Sequence, residues 1–385
     1  MQSFCVDAAT GFVRMVEGKT ILLVPQSSLT EKVPPKIPAF FNPAAKLNRD
    51  LSVLAYRAFV PSLTQKTFAD SFTGIGARAL RVAVEVPEIE QVYGNDINAT
   101  AIDAARKAAR ANSVSDRCHF SIDEVCKFLL NGTRDGERFG IVDLDPFGTP
   151  AKHVDCMLRA VLDGGLASIT ATDTAVLCGV YPEVCMRRYY GRPLNNSYGN
   201  EVAIRLLISL LALTASRLEL AIRPVFVHAT MHYFRIYTTV AVSSSQANDV
   251  YENIGYVMHC FNCGHRFKAE EYEKSKCELC GSDLSVGGQL WTGSLHEREF
   301  VKKMLEQESD RQCKKVLEAS DEEISEIPYY FRADEISAKL KRNPHSVQKI
   351  IEKLQSAGFA ASRTALNPGS FKTNARINQI LDILR

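Results

Sequence analysis

Between Thr67 and about Val242, short β-branched or apolar runs alternate with stretches of helical periodicity. TFADSF reads as a strand, followed by GIGARALRVAVEV as a helix opened by glycines. QVYGND is a second strand, and NATAIDAARKAARAN an alanine-rich helix. HFSIDE is a third strand, with a short helix through Phe128 to Leu130. GIVDLDPF is the fourth, and a helix from His153 to Leu162 leads into the fifth, GLASITATDT. GNEVAIRLLISLLALTASRLEL is the longest helix. RPVFVHATMH and YFRIYTTVAV follow with little between them, which predicts an antiparallel hairpin at the sheet edge. Strands alternating with helices predict an α/β fold, a doubly wound Rossmann-like sheet.

The pattern changes after residue 250. Residues 256–290 hold four closely spaced cysteines, and LHEREFVKKMLEQ after them reads as a polar helix. Residues 329–385 show two helical patterns broken at Asn343-Pro344, a stop at Gly358 and a short ribbon. Helix, turn, helix and ribbon predict a winged-helix-like α+β tail. The expected division is therefore 1–66, an N-terminal extension; 67–250, the sheet domain; and 251–385, a C-terminal domain.

Composition narrows the class. The chain has 385 residues, 46% hydrophobic and 23% charged, which excludes disordered and low-complexity proteins. The run Leu206 to Leu213, between Arg205 and Arg217, is short of a membrane span. MQSFCVDAAT has no secretory pattern. A cytoplasmic location is expected, with no membrane contact and no obligate protein partner evident. Most of the eleven cysteines are then expected as reduced thiols or metal ligands. Net charge is +2, but residues 331–385 carry 10 Lys+Arg against 4 Asp+Glu, a net of +6. Residues 251–330 carry 10 against 16, a net of −6. The basic tail suggests a polyanionic partner.

Candidate chemistry starts at Asp70-Ser71-Phe72-Thr73-Gly74-Ile75-Gly76, at the end of the first predicted strand. Gly74 and Gly76 permit a tight turn and close approach of a ligand to the backbone. Asp96 ends the second strand 22 residues after Gly74, placed to bind two ribose hydroxyls. The loop fits a dinucleotide and S-adenosylmethionine equally. Asp123 and Glu124 end the third strand; Asp123 suits an adenine amine and a helix N-cap about equally.

The fourth strand runs into Asp145-Pro146-Phe147-Gly148. An exocyclic base amine is a poor nucleophile because its lone pair is delocalised into the ring. A carboxylate and a backbone carbonyl accepting both N–H bonds draw the nitrogen toward tetrahedral geometry. Asp145 and the Pro146 carbonyl suit that task, and Phe147 suits stacking on an extruded base. Such chemistry needs a methyl donor, which selects S-adenosylmethionine.

With these residues, the sequence closely resembles the tRNA guanine-26 N2-dimethyltransferase family. Phe40-Phe41-Asn42-Pro43 with Asn48-Arg49-Asp50 is similar to its upstream signature, and Asp145-Pro146-Phe147-Gly148 to its catalytic tetrapeptide. Tyr181 to Tyr190, Gly199-Asn200-Glu201 with Arg205, and His232-Tyr233-Phe234-Arg235 resemble later landmarks. So do Gly288 to Gly293 around Trp291 and Pro368-Gly369-Ser370-Phe371-Lys372-Thr373. Phe41 stands where tyrosine is expected. The resemblance implies cofactor contacts from Arg49, Arg78, Asp96, Asp123 and Glu124, and places Phe40 opposite Phe147 in the base pocket. It implies tRNA as substrate and dimethylation of N2 at position 26. Other base-amine methyltransferases, and a non-catalytic nucleic-acid binder, are the rival readings.

Cys260-x2-Cys263 and Cys277-x2-Cys280 are thirteen residues apart, and each pair is followed by glycine. Two such pairs predict a closed, structural tetrathiolate zinc site. The other seven cysteines read as buried hydrophobes. Lys339, Lys341, Arg342, Lys349, Arg363, Lys372 and Arg376 are the tail's candidate phosphate contacts.

Overall fold

A computed structural model describes residues 6–7, 11–131, 138–230, 232–272 and 274–385. Most of the N-terminal stretch read for a secretory pattern lies outside the described residues, as does Met231 in the predicted hairpin. Strands β1 (Val6–Asp7), β2 (Phe12–Glu17) and β3 (Thr20–Pro25) form a small antiparallel sheet. Helix Lys46–Phe59 leads from it to the main sheet.

The main sheet contains β4 (Thr67–Asp70), β5 (Gln91–Asn95), β6 (Cys118–Ser121), β7 (Phe139–Leu144), β8 (Val161–Ala171), β9 (Leu220–Thr230) and β10 (Tyr233–Val242). Their spatial order is β6-β5-β4-β7-β8-β10-β9. The first five are parallel, and β10 pairs antiparallel with both β8 and β9. The sequence hairpin is thus present, but it docks by its second strand. The order reverses between β4 and β7, which opens a crevice at their carboxyl ends where ligands bind in such sheets.

Helices cover both faces. On one lie Lys46–Phe59, Ala77–Glu85 and Ala99–Ala111, with Leu51, Leu80 and Ala105 fully buried. On the other lie Val154–Ala160 and Gly199–Ser216. The latter is long and apolar enough to cross a membrane by length and composition, but 78% of that window is buried inside this core.

Strands β11 (Ile254–His259), β12 (Arg266–Ala269) and β13 (Ser285–Trp291) frame the cysteine region. The polar helix expected after them does not stay there. Helix Arg298–Leu305 and its successor Arg311–Glu322 return to helix Lys46–Phe59, where Phe300, Met304 and Leu317 join its core. In the tail, β14 (Phe331–Arg332), β15 (Ala361–Arg363) and β16 (Ser370–Thr373) form a sheet under helices Ala333–Leu340, Val347–Ser356 and Ile377–Leu384. Two helices and a ribbon follow in the order read from the sequence, with strand Phe331–Arg332 added before them and helix Ile377–Leu384 after.

Two readings need correction. Lys372 is not a phosphate contact: it is fully buried, 2.7 Å from Glu201 and 2.8 Å from Glu323. Its position in β16 faces it inward, which its charge alone conceals. Cys126 and Cys156 are not separate thiols: they form a disulfide between helices Val125–Asn131 and Val154–Ala160. Their Cα atoms are 5.4 Å apart, within bridging range, although 30 residues separate them in sequence.

Burial also creates an acid liability. His228 and His296 are buried, which pushes their pKa down to about 3 and about 4, with nearby arginines adding to the effect. The unfolded chain takes up these protons near pH 6.5 and the folded chain does not, so stability falls as pH drops below that value. Each histidine can contribute at most about 1.4 kcal/mol per pH unit. Thermal melts between pH 7 and pH 4 should show this loss, and His296→Gln should make the profile shallower. An unchanged profile would mean that His296 is not held neutral by the fold.

Candidate active site

The crevice between β4 and β7 is built around one buried carboxylate. Asp143, on β7, is fully buried beside Asp70 of β4 in the parallel register. Arg78 Nη1 lies 3.1 Å from Asp143 Oδ1, and Arg235 Nη1 lies 3.2 Å from the same oxygen. Arg235 Nη2 and the Tyr56 hydroxyl donate to Asp143 Oδ2, Ser168 Oγ lies 3.1 Å from it, and Thr170 Oγ1 accepts from Arg235 at 2.7 Å. The two guanidiniums hold the Asp143 carboxyl below its ordinary range although burial opposes this.

Arg78 also reaches the predicted catalytic turn. Its Nη1 is 2.8 Å from Asp145 Oδ2, so one guanidinium nitrogen bridges the two aspartates. Residues two apart on a strand face the same side, which puts both carboxylates toward Arg78. Asp145 keeps 26% of its side chain exposed, whereas Pro146 is buried. Gly148, at φ 77°, closes the turn; its N–H donates to Thr172 Oγ1 at 2.7 Å and its carbonyl accepts from Thr172 N at 2.9 Å. Phe147 is 60% exposed, and its ring meets Phe40 edge-on with centroids 4.8 Å apart. Lys36 Nζ sits 4.8 Å from the Phe147 centroid, a cation–π contact the sequence did not suggest.

The glycine loop lies beside this turn. Gly74 and Gly76 have φ of 55° and 80°, conformations that favour glycine. Asp96 Oδ2 accepts from Gly74 N at 2.9 Å and Oδ1 from Asn98 N at 2.8 Å, so the loop and the second strand end are joined. Asp123 is half-buried and paired with Lys127 at 2.6 Å; Glu124 is exposed and accepts from Lys127 N at 3.0 Å. Asn95 ties this edge to the second strand, donating to Asp123 O at 3.0 Å and accepting from its N–H at 3.1 Å. Arg49 is engaged elsewhere: it donates to both Glu17 carboxylate oxygens at 2.6 Å and lies over the Phe41 ring.

The loop is unfinished by protein atoms alone. Asp70 Oδ1, Ser71 Oγ and Arg78 Nε are buried without a hydrogen-bond partner among the described residues. Burial, with Asp143 and Asp145 close by, pushes the Asp70 pKa up to about 7. A polar ligand with donors and acceptors fits such a cradle.

At the cysteine region, Cys260 Sγ is 3.5 Å from Cys280 Sγ, and Cys263 Sγ is 3.6 Å from Cys277 Sγ. All four sulfurs lie within 4.8 Å of one another. A tetrahedral ion with bonds of about 2.3 Å sets its sulfurs about 3.8 Å apart, so the donor set fits zinc. Gly264 N and Gly281 N each donate at 2.8 Å to the carbonyl of the first cysteine in their pair, forming two matching turns.

Comparison with known proteins now decides the family. The profile of the N2,N2-dimethylguanosine tRNA methyltransferase family matches residues 18–385. The chain belongs to that family. It is 33% identical over 377 residues to the tRNA (guanine(26)-N(2))-dimethyltransferase of Methanothermobacter thermautotrophicus, covering 96% of this chain and 97% of that protein. A tRNA (guanine(26)-N(2)/guanine(27)-N(2))-dimethyltransferase of Aquifex aeolicus is 32% identical, with 95% and 94% covered. The structure of Trm1 from Pyrococcus horikoshii with S-adenosyl-L-methionine superposes with a TM-score of 0.82 at 27% identity, covering 96% of this chain and 99% of that one.

The Asp143 cluster gives a direct prediction. Asp143→Asn leaves Arg78 and Arg235 buried with one fewer counter-charge, and removing one partner of such a cluster costs about 3–5 kcal/mol. Urea unfolding should show a loss of that size. A change within about 0.5 kcal/mol, as for a surface substitution, would remove Asp143 from the centre of the site.

Proposed function

We propose that this chain dimethylates the N2 amine of guanosine at tRNA position 26, using S-adenosylmethionine. The observation that carries the reading is Asp145, fixed by Arg78 at 2.8 Å between the glycine loop and the Phe40–Phe147 pair. The cofactor, when bound, supplies an electrophilic methyl group. Gly74 and Gly76 let it approach the backbone, Asp96 takes its ribose, Asp123 its adenine, and Arg78 and Asp70 lie at the mouth of the loop. Glu124 lies beside Asp123 at the same edge. Arg49 reaches a cofactor carboxylate by exchanging it for Glu17.

The Asp145 carboxylate and the Pro146 carbonyl accept the two N–H bonds of the guanine amine and localise its lone pair on nitrogen. As the new N–C bond forms, one proton leaves the amine for Asp145, which is open enough to pass it to water. One N–H remains for the second transfer. Phe40 and Phe147 hold the extruded base. Sandwiching a purine needs two stacking spacings of about 3.4 Å each. The rings are 4.8 Å apart, so Phe147 swings outward on capture, which its exposure and the Gly148 turn permit.

Cys260, Cys263, Cys277 and Cys280 hold a structural zinc, with no position left for chemistry. Phosphate contacts fall to the exposed Lys339, Lys341, Lys349, Arg363 and Arg376, and to the half-buried Arg342. With tRNA as substrate, the working compartment is the cytoplasm.

Two measurements test this. Single-turnover methylation of a tRNA transcript, followed by nucleoside analysis, should yield N2-methylated and N2,N2-dimethylated guanosine. Asp145→Ala should lose about 10- to 150-fold in rate, the worth of a hydrogen bond to a charged group, with affinities little changed. Wild-type rates in that variant would remove Asp145 from the chemistry. Metal analysis should find about one zinc per chain. Cys277→Ser should lower zinc content and melting temperature together, and zinc-free wild-type protein would defeat the assignment.

A further inference from the structure

The segment Tyr181 to Tyr190 has no part in the chemistry above, yet it touches the catalytic turn. The Tyr189 hydroxyl lies 2.8 Å from Thr149 Oγ1 and donates to Asp173 at 2.7 Å, and Arg188 pairs with the same carboxylate at 3.2 Å. Helix Pro182–Tyr189 therefore forms one wall of the site rim. Its other side opens on a cleft of about 450 Å³, shared with the cysteine region.

That cleft has the make-up of a nucleotide seat. Phe261 and Tyr272 line it and are 58% and 52% exposed. Each ring is braced by another aromatic: His259 meets Phe261 at 4.5 Å and Tyr256 meets Tyr272 at 6.0 Å, both edge-on. Arg192 and Lys274, both exposed, supply cations, and among the described residues no carboxylate lines the cleft. Glu270 and Glu271, just before Tyr272 in the chain, are not among the lining residues. Arg192 is only three residues beyond Tyr189, so the cleft begins within about 11 Å of chain from the catalytic rim. Exposed rings interleaved with cations match a single-stranded nucleic-acid platform.

We propose that this cleft binds an unpaired nucleotide of the tRNA substrate, its base on Tyr272 or Phe261 and its phosphate near Arg192 and Lys274. The proposal rests on tRNA methylation as the function. It adds a contact distinct from the basic tail and from the Phe40–Phe147 pocket. A braced aromatic platform beside the rim holds the RNA strand while the target base is extruded.

The test uses the full-length protein and a tRNA transcript, with binding read by fluorescence anisotropy. Tyr272→Ala should raise Kd roughly five- to 150-fold, the range for one lost stacking partner. Tyr272→Phe should restore binding. Lys274→Gln should reduce the slope of log affinity against log salt by about one. Both side chains are exposed, so melting temperature, zinc content and cofactor affinity should stay at wild-type values. If both variants bind tRNA like a wild-type enzyme that methylates it, the cleft assignment is overturned. If the wild-type protein neither binds nor methylates tRNA, the functional reading falls as well.

Discussion

The carboxylate of Asp143, taken wholly out of water, is the constraint on which the site depends. An isolated buried carboxylate is prohibitively costly, so it must be surrounded by donors. Here Arg78 comes from the helix after the glycine loop, Arg235 from the antiparallel β10, and Tyr56 from the helix before the sheet. Four separate segments are thereby joined at one point, since β7 carries the aspartate itself. Because Arg78 must face Asp143, it also faces Asp145, two residues further on. The orientation of the exposed acid is thus a by-product of satisfying the buried one.

The fold repeats this solution where the tail meets the sheet. Glu201 and Arg205, one helical turn apart, are fully buried in helix Gly199–Ser216. Arg205 donates to the carbonyls of Trp291 and Gly293 at 2.9 Å and also to that of Ser325, and Lys372 bridges Glu201 and Glu323. Two anions and two cations balance inside the protein. Residues far apart in sequence, each without evident chemistry alone, therefore form one internal joint. The joint also explains why the basic tail is not a free appendage: one of its lysines belongs to the core.

Much of this was legible beforehand. Period-two and period-3.6 patterns place every main-sheet strand, because burial dictates those patterns directly. The glycine loop, Asp96 and the Asp145 turn are legible because the chemistry proposed for them needs particular residue types at set positions. Asp143 is not, since GIVDLDPF reads as an apolar strand whose first aspartate looks like part of the same turn. Its role arises only from Arg78 and Arg235, 65 and 92 residues away. Lys36, the Cys126–Cys156 disulfide and the return of helix Arg298–Leu305 were hidden for the same reason. Each is a contact between distant segments, and nothing local in the chain encodes it.

Under the proposed chemistry the two halves of the Asp145–Gly148 turn obey opposite demands, and this follows from their neighbours. In the proposed reaction Asp145 is held before the amine arrives, because reorienting a charge during reaction wastes stabilisation. Arg78 does this, anchored in turn by a carboxylate that cannot move without exposing charge to the core. In the proposed reaction Phe147 instead admits a purine between itself and Phe40, so a fixed ring would exclude the base. Its exposure, and a glycine immediately after it, leave it free on the outer side of a turn whose inner side is pinned by Pro146 and Thr172. The held acid and the exposed ring are two residues apart, with Pro146 between them, and the boundary between them is the boundary between core and solvent.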